Sequence, residues 1–481
     1  GGGRGGGRGG GRGGGGGGGR TREERKAGRR SKQKARVNAK GAAEAARFWT
    51  ARQEAARSGA AARVRIQAVS QAGDRAVELR VFGPVKTGGG GIDFDQYDAI
   101  EVERSGPGAD AVVPLADFTT LDTTVPPFVL SNVFKMGYRR PTPIQKNAIP
   151  IAISGGDLMC SAQTGSGKTC AFLLPVVARF WIDATSNSAE GNHLRGAIDP
   201  SAPASPRALC LAPTRELAIQ IMHEAEKLCF GSPIRTQVVY GGASAGGQLN
   251  QLALGVDMLV ATPGRLIDFI DRGVVSLART TFLILDEADR MLDMGFAPDI
   301  RRIVEQRDLR PREQRQTLMF SATFPKAIQS LAGSFLRPSY IWIAVGRVGS
   351  TVQSIDQRLV LASNDKRAKL ALLETALLQT SGRTLVFVRT KSLARWLTKQ
   401  LKEARLGGGI VTCATAIHGD RSQSQRESAL REFTSGRALV LVATDVAARG
   451  LDVDDVTHVV QFDLPSGSDF DSYVHRIGRT G

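Results

Sequence analysis

From about residue 118 onward the chain alternates short, largely apolar runs with longer polar or amphipathic stretches. In the first half of this region the apolar runs fall at 157–160, 208–211, 236–239, 258–261, 282–285 and 317–320. Runs this short and this apolar read as strands covered on both faces, and the sequence between them is long enough for helical crossovers. A parallel sheet in an α/β domain is the expected result. A second alternation follows the glycine-punctuated Ala344-Val345-Gly346-Arg347-Val348-Gly349-Ser350, with strands expected at 358–361, 384–388, 413–417, 438–443 and 458–462. The economical reading is two tandem α/β domains, 118–344 and 355–481, joined by a linker at 345–354.

The pattern weakens outside these domains. Residues 183–207, rich in Ser, Ala, Pro and Gly, read as a surface loop insertion. Residues 1–20 repeat glycine triplets around Arg4, Arg8, Arg12 and Arg20, have nothing apolar to bury, and are expected to be disordered. Basic sequence continues to residue 40, so 1–40 is taken as a disordered Arg/Gly-rich tail. An extension spans 41–117. In it, 42–57 suits an Ala-rich helix, and an alternating stretch at Val77, Leu79 and Val81 is separated by glycines 88–91 from Phe94-Asp95-Gln96-Tyr97. This extension is expected to be partly ordered and to pack on the body.

Composition changes the picture in two places. Net charge is +18, from 64 Lys plus Arg against 46 Asp plus Glu. Most of the excess lies in the first 47 residues, and the milder surplus beyond them suits either a solvated surface or a phosphate-backbone partner. The five cysteines (Cys160, Cys170, Cys210, Cys229, Cys413) form no CxxC pair, which points to a reducing compartment and no zinc site. No apolar run approaches 18 residues, so no membrane span is expected. The sequence starts at Gly1 without Met, which leaves upstream targeting open.

The first candidate site is Ala162-Gln163-Thr164-Gly165-Ser166-Gly167-Lys168-Thr169, between an apolar run and an apolar helical stretch. Strand, glycine turn and helix in that order make a P-loop. Gly165, Ser166 and Gly167 bring backbone N–H groups close to an anion, Lys168 reaches the outer phosphates, and the Thr169 hydroxyl is placed for Mg²⁺. The generic motif has Gly where this chain has Ala162. The second site is Asp286-Glu287-Ala288-Asp289, acids at the carboxyl end of an apolar run, where open α/β sheets put their ligands. Asp286 there suits Mg²⁺ and Glu287 suits the attacking water of phosphoryl transfer.

With those residues in view, the chain resembles the DEAD-box ATP-dependent RNA helicases, and within them the Vasa-like branch. The resemblance covers about 118–481. It rests on Asp286-Glu287-Ala288-Asp289, on the family's own AxTGxGKT at 162–169, and on Ser321-Ala322-Thr323. It also rests on Gly137-Tyr138-Arg139-Arg140-Pro141-Thr142-Pro143-Ile144-Gln145, Pro213-Thr214-Arg215-Glu216-Leu217-Ala218, Gly241-Gly242 and Thr262-Pro263-Gly264-Arg265. Ala443-Thr444-Asp445, Arg449-Gly450-Leu451-Asp452 and His475-Arg476-Ile477-Gly478-Arg479-Thr480-Gly481 complete the set in order. In the extension, only 79–83 and 92–97 look like the Vasa-like pattern.

The resemblance implies two RecA-like domains that bind ATP with Mg²⁺ and grip RNA without reading its sequence. It implies that Tyr138 stacks on adenine, that Gln145 reads its edge, that Phe118 is the upstream aromatic and that Asp452 holds the ribose. Arg476 and Arg479 would reach across the cleft to the γ-phosphate, as guanidinium forks suited to its spread charge. Ser321 and Thr323 would bond to Asp289 and, with His475, couple hydrolysis to RNA. RNA contacts are implied for Thr214, Arg215, Gly242, Thr262 and Arg265 in the first domain, and for Arg389, Gly419, Gln423, Arg426 and Thr444 in the second. Hydroxyls, glycine N–H groups and arginines suit phosphate and sugar rather than bases, and the 2′-OH distinguishes RNA from DNA.

The activity expected is RNA-stimulated ATP hydrolysis coupled to local, non-processive strand separation or RNP remodelling. The alternative is an ATP-gated RNA clamp or granule scaffold. A monomer is expected, cytoplasmic and also compatible with the nucleus or RNP granules, with RNP or translation-related protein partners. In the family the last motif runs on to a further arginine, strand and helix, so the second domain is expected to be C-terminally truncated.

Overall fold

The computed structural model of the chain describes residues 22–83, 100–163, 165–186, 198–346, 355–403, 405–406, 410–411, 413–445, 456–465 and 470–478. In the N-terminal region, helices α1 (Arg22–Arg57), α2 (Ala60–Ser70) and α3 (Arg75–Phe82) precede strand β1 (Val102–Ser105). Helix α4 (Pro127–Lys135) and helix α5 (Pro143–Ile153) lead into β2 (Leu158–Ser161) and α6 (Lys168–Ser186). Then come β3 (Ala208–Leu211), α7 (Arg215–Leu228), β4 (Thr236–Val239), α8 (Ala245–Ala253), β5 (Met258–Ala261) and α9 (Pro263–Asp271). The first domain closes with β6 (Phe282–Leu285), α10 (Ala288–Asp293), α11 (Ala297–Gln306), β7 (Gln316–Ser321), α12 (Lys326–Phe335) and β8 (Ile341–Val345).

These strands form one eight-stranded sheet in the order β1-β8-β2-β7-β6-β3-β5-β4, parallel except for β1, which runs antiparallel to β8. Side chains alternate across it with period two. Leu158 and Cys160 of β2 join the core under α5, α6 and α7, whereas Met159 joins the opposite core with Leu209, Leu259 and Met319. Helices on both faces explain why β2, β3, β5 and β6 are buried at every position.

The second domain carries α13 (Lys366–Gln379), β9 (Arg383–Val388), α14 (Lys391–Glu403), the short hairpin β10 (Arg405–Leu406) and β11 (Ile410–Val411), and β12 (Ala414–Ile417). It continues through α15 (Gln423–Thr434), β13 (Val440–Thr444), β14 (Val456–Gln461) and α16 (Phe470–Ile477). Its sheet is parallel throughout, in the order β12-β13-β9-β14. Both domains therefore have the expected α/β, RecA-like layout.

Three sequence expectations change. The alternating Val77, Leu79 and Val81 stretch is the helix α3, because Asp74 caps it by accepting from the N–H groups of Ala76 and Val77. Residues 358–361 form no strand: no strand of the described residues lies beside them, and Leu359 and Leu361 are 87% and 100% exposed. A short apolar run becomes a strand only beside a partner edge. Conversely, β8 takes in Val345, read from sequence as the first residue of the linker, because Val345 and Ala344 pair with Val102 and Glu103 of β1. The end of the extension thus completes the first sheet. The Arg/Gly repeat at 1–20, Phe94 to Tyr97, residues 187–197 of the 183–207 loop and residues 347–354 lie outside the described residues.

The extension is fastened to the first domain. Helix α1 begins at Arg22, well before the Ala-rich stretch, and buries Phe48 completely against the second core. Arg52 donates to the carbonyls of Asp199 (3.1 Å) and Ala253 (3.3 Å). Arg65 on α2 makes a buried two-pronged bond to the Asp257 carboxylate at 2.5 and 3.1 Å.

Candidate functional site

The glycine turn between β2 and α6 is held from outside by α5. Thr142, at the N-terminus of α5, donates its hydroxyl to the Ser166 carbonyl at 2.7 Å, and Gln145 donates from Nε2 to the Gly167 carbonyl at 3.1 Å. The Gln145 Oε1 accepts from the Thr142 N–H at 2.9 Å, closing a capping box. Gln145 is completely buried, so its amide brackets the loop instead of facing an open pocket. Each half of the amide serves the protein here, Oε1 on the Thr142 N–H and Nε2 on the Gly167 carbonyl. The bracket also explains Gly167, whose φ is 88° and where a Cβ would stand 2.5 Å from Gln145 Nε2. Gly165, at φ 79°, faces open space, the room that a phosphate cradle needs.

Lys168 is buried, and its Nζ donates to the carbonyls of Ala162 (2.6 Å) and Gln163 (2.7 Å). The Ser166 hydroxyl bonds the Gln163 carbonyl at 2.8 Å, while Thr169 follows Lys168 in the first turn of α6. Phe118 is wholly buried in the core, with its ring centroid 6.4 Å from that of the partly buried Tyr138. Phe118 therefore backs Tyr138, and Tyr138 is the aromatic left at the surface.

Behind the loop, β6 delivers Asp286 and Glu287. Asp286 is 3% exposed, and burial, reinforced by the Glu287 carboxylate, raises its carboxyl from the usual 3.8 to about 7, against the opposing pull of Lys168. Its Oδ1 accepts from the Glu287 N–H at 2.9 Å. Glu287 is the one non-glycine with positive φ among the described residues (φ 50°, ψ 51°), a backbone cost that the surrounding fold must hold in place. Its carboxylate is paired with Arg290 at 3.2 Å, a partner that sequence reasoning missed although Arg290 directly follows the acidic motif.

The chemistry of this donor set fits a nucleotide with Mg²⁺. A buried carboxylate with a raised pKa is costly to ionise alone and is relieved by a cation. No group of three or more His, Cys, Asp or Glu gathers among the described residues, and none is needed, since Mg²⁺ takes one or two carboxylates plus phosphate and water oxygens.

Asp289, one residue into α10, is the knot between the domains. Its Oδ2 accepts from the N–H groups of Ala322 (3.0 Å) and Thr323 (2.8 Å) and from the Thr323 hydroxyl (2.9 Å). Its own N–H donates to the Ser321 hydroxyl at 3.3 Å. From the second domain, His475 Nε2 comes to 3.8 Å of the same Oδ2, with both side chains almost fully buried. The structure thus joins Asp289, Ser321, Thr323 and His475.

The first-domain residues expected to touch RNA converge at the carboxyl ends of β3, β4 and β5. Thr214 caps α7 by accepting from the Leu217 N–H, and Thr262 begins α9 with its Oγ1 at 3.4 Å from the Gly241 N–H. Arg265 donates to the Ala243 carbonyl at 3.1 Å. A Cβ on Gly242 (φ 77°) would lie 2.5 Å from the Arg215 guanidinium, so glycine is what lets that arginine lie over the loop.

In the second domain, Arg389 and Gly419 are exposed, Thr444 ends β13, and Gln423 opens α15. Arg426 differs from expectation. It is buried and pairs across the domain boundary with Glu216 of α7 at 2.8 Å, which makes it a domain contact here. Arg476 is also held by an acid. It holds Asp445 with both fork arms (2.5 and 2.6 Å), donates to Gln461 Oε1 (3.1 Å) and the Asp463 carbonyl (2.7 Å), and lies over the Phe387 ring. These partners all lie in its own domain. Arg479 and Asp452 lie outside the described residues.

Comparison with known proteins agrees with this geometry. The family profile described as "DEAD/DEAH box helicase" matches residues 142–331, and "Helicase conserved C-terminal domain" matches 368–481. Among solved structures, S. cerevisiae Dbp5 bound to RNA and ADP BeF3 is 30% identical, with a TM-score of 0.62, over 76% of this chain and 86% of that one. A Dbp5 variant bound to a Gle1 variant and IP6 is 28% identical, with a TM-score of 0.58, over 77% and 86%. Prp28 from Chaetomium thermophilum bound to ADP is 35% identical over 79% and 84%, with a TM-score of 0.43. On its motifs, its site and these matches, the chain belongs to the DEAD-box family and is an ATP-hydrolysing RNA helicase.

Proposed function

We propose that the protein couples RNA-stimulated ATP hydrolysis to local, non-processive strand separation or RNP remodelling. The observation that carries this reading is the Asp289 knot. One carboxylate oxygen accepts from the strand end at Ala322 and Thr323 and stands 3.8 Å from His475 Nε2 of the other domain. A domain movement driven by RNA is therefore felt one turn away from the acids of the hydrolytic site.

In this reading the glycine turn and Lys168 bind the phosphates, and Thr169 and Asp286 would hold Mg²⁺, which when bound supplies charge neutralisation at the β- and γ-phosphates. Glu287 orients the water, Tyr138 stacks on adenine with Phe118 behind it, and Gln145 fixes the loop. Arg479 serves as the arginine from the second domain, and Asp452 serves the ribose. Thr214, Arg215, Gly242, Thr262 and Arg265 hold one stretch of RNA backbone, while Arg389, Gly419, Gln423 and Thr444 hold the next. Arg426 stabilises closure through Glu216. A monomer of the Vasa-like branch, working in the cytoplasm or in RNP granules with RNP partners, is the setting that suits the motifs and the basic tail.

The test is ATP turnover and duplex separation by the full-length chain. RNA stimulates turnover, DNA does not, and Lys168→Ala abolishes it. Stimulation by DNA alone, or tight RNA binding with ATP but no turnover, contradicts the reading, and the second outcome describes a clamp.

A further inference from the structure

Helix α14 leaves the carboxyl end of β9 and packs along the edge strand β12. Beside Ala416 of β12 lies a groove of about 310 Å³, lined by Arg395, Lys399 and Lys402 from α14 and by His418 and Arg421 from the segment after β12. The spacing i, i+4, i+7 puts the three α14 cations on one stripe. Among the described residues, the acids within reach of them are exposed. Lys399 meets Glu403 at 3.8 Å and Arg395 meets Asp420 at 3.5 Å, pairs that another anion displaces readily. No aromatic ring lines the groove, so its chemistry suits phosphate groups rather than stacked bases.

His418 supplies an independent observation. It is 4% exposed, yet its Nδ1 finds no hydrogen-bond partner. Buried ring nitrogens are normally paired, and this one lies beneath the cationic groove that its residue helps to line. Burial, and then the cations Arg421 and Arg395, hold its pKa below the usual 6.5, which leaves a neutral ring with one N–H to donate.

The groove is continuous with the RNA face. Gly419 separates His418 from Asp420, and a Cβ on Gly419 would lie 3.3 Å from Lys391 Cε at the start of α14. Lys391 holds Asp420 at 2.8 Å. From Lys391 to Lys402 the helix rises about 16 Å away from that face. We infer that this groove is a backbone-phosphate subsite for RNA that continues past Gly419. Arg395, Lys399, Lys402 and Arg421 hold flanking phosphates there, and His418 closes the floor. This rests on the reading of Arg389 and Gly419 as RNA contacts, and it adds a grip on nucleotides outside the shared motifs.

The experiment compares the full-length chain with the triple variant Arg395→Gln, Lys399→Gln, Lys402→Gln, all exposed positions whose loss leaves the fold intact. Each is titrated, with a non-hydrolysable ATP analogue, against a single-stranded RNA hexamer and a strand of about 20 nucleotides over a salt series. The variant binds the long strand at least tenfold more weakly at low salt. Its slope of log affinity against log salt is shallower by about 2, from roughly 0.7 for each of three lost single-strand contacts. Binding of the hexamer is unchanged. Unchanged long-strand affinity and slope, or an equal loss for both lengths, overturns the subsite. A wild type that does not bind the hexamer overturns the RNA reading beneath it. Inorganic tripolyphosphate is the third probe. If it occupies the groove, as read by chemical shifts of His418, while the long strand leaves those shifts unmoved, the groove serves free anions and the inference falls.

Discussion

Removing the charge from Asp286 while keeping its shape gives the sharpest test of how the nucleotide site is built. The Asp286 carboxyl is pushed from 3.8 to about 7 by burial and by Glu287. A carboxyl whose folded pKa is raised keeps its proton in the folded state at pH values where the unfolded chain has released it. Stability is therefore lost as pH rises from about 4 to about 7, by roughly 1.4 kcal/mol per unit, and is flat above that. Asp286→Asn has no such dependence, and its Oδ1 still accepts from the Glu287 N–H. In nucleotide-free protein with chelator present, the advantage of the Asn variant over wild type should widen by about 2–3 kcal/mol between pH 5 and pH 8. For a domain of this size that corresponds to about 5–10 °C in Tm. Urea and thermal unfolding at the two pH values measure it. A gap that does not change with pH, or one that narrows towards pH 8, refutes the assignment of Asp286 as a carboxyl made costly by its site.

Gly167→Ala places a methyl against Gln145 Nε2 at φ 88°, so ATP affinity measured with a fluorescent analogue should fall at least tenfold; ordinary affinity refutes the bracket. Gln145→Ala should weaken ATP and GTP to a similar degree because the amide acts through the loop, and a selective loss of ATP would restore edge reading. Arg476→Gln leaves Asp445 without its partner in a largely buried site and should cost about 3 kcal/mol in unfolding of the second domain. Lost turnover with unchanged stability would make Arg476 catalytic instead. Glu216→Ala and Arg426→Ala should be coupled in a double-mutant cycle of RNA affinity with an ATP analogue present, and additive effects refute the inter-domain pair.

The fold was legible where apolar runs are flanked by crossovers, because burial on both faces leaves a strand few alternatives, as at 208–211 and 282–285. It was not legible where pairing is decided from far away. Ile341–Val345 becomes a strand because β1 and β2 flank it, whereas 358–361, apolar at three of its four positions, has no flanking strand among the described residues and stays exposed. The P-loop and acidic motif were visible as letters, but which atom serves which neighbour was not. Gln145 also clamps the loop, a role hidden in the sequence because the three-residue reach back to Thr142 becomes meaningful only once α5 lies against Ser166 and Gly167. Arg476 and Arg426 differ for the same reason: an arginine in a motif announces an anion, and Asp445 and Glu216 are anions the sequence places 31 and 210 positions away.

The central claim is that Asp289 ties RNA-driven movement of the second domain to the hydrolytic acids. Steady-state ATP turnover with and without saturating single-stranded RNA, in wild type and in Asp289→Ala, tests it most directly. RNA should raise wild-type turnover tenfold or more, and the variant should bind ATP normally yet hydrolyse it at the same slow rate whether or not RNA is present. Undiminished RNA stimulation in Asp289→Ala, or wild-type turnover indifferent to RNA, would contradict the account.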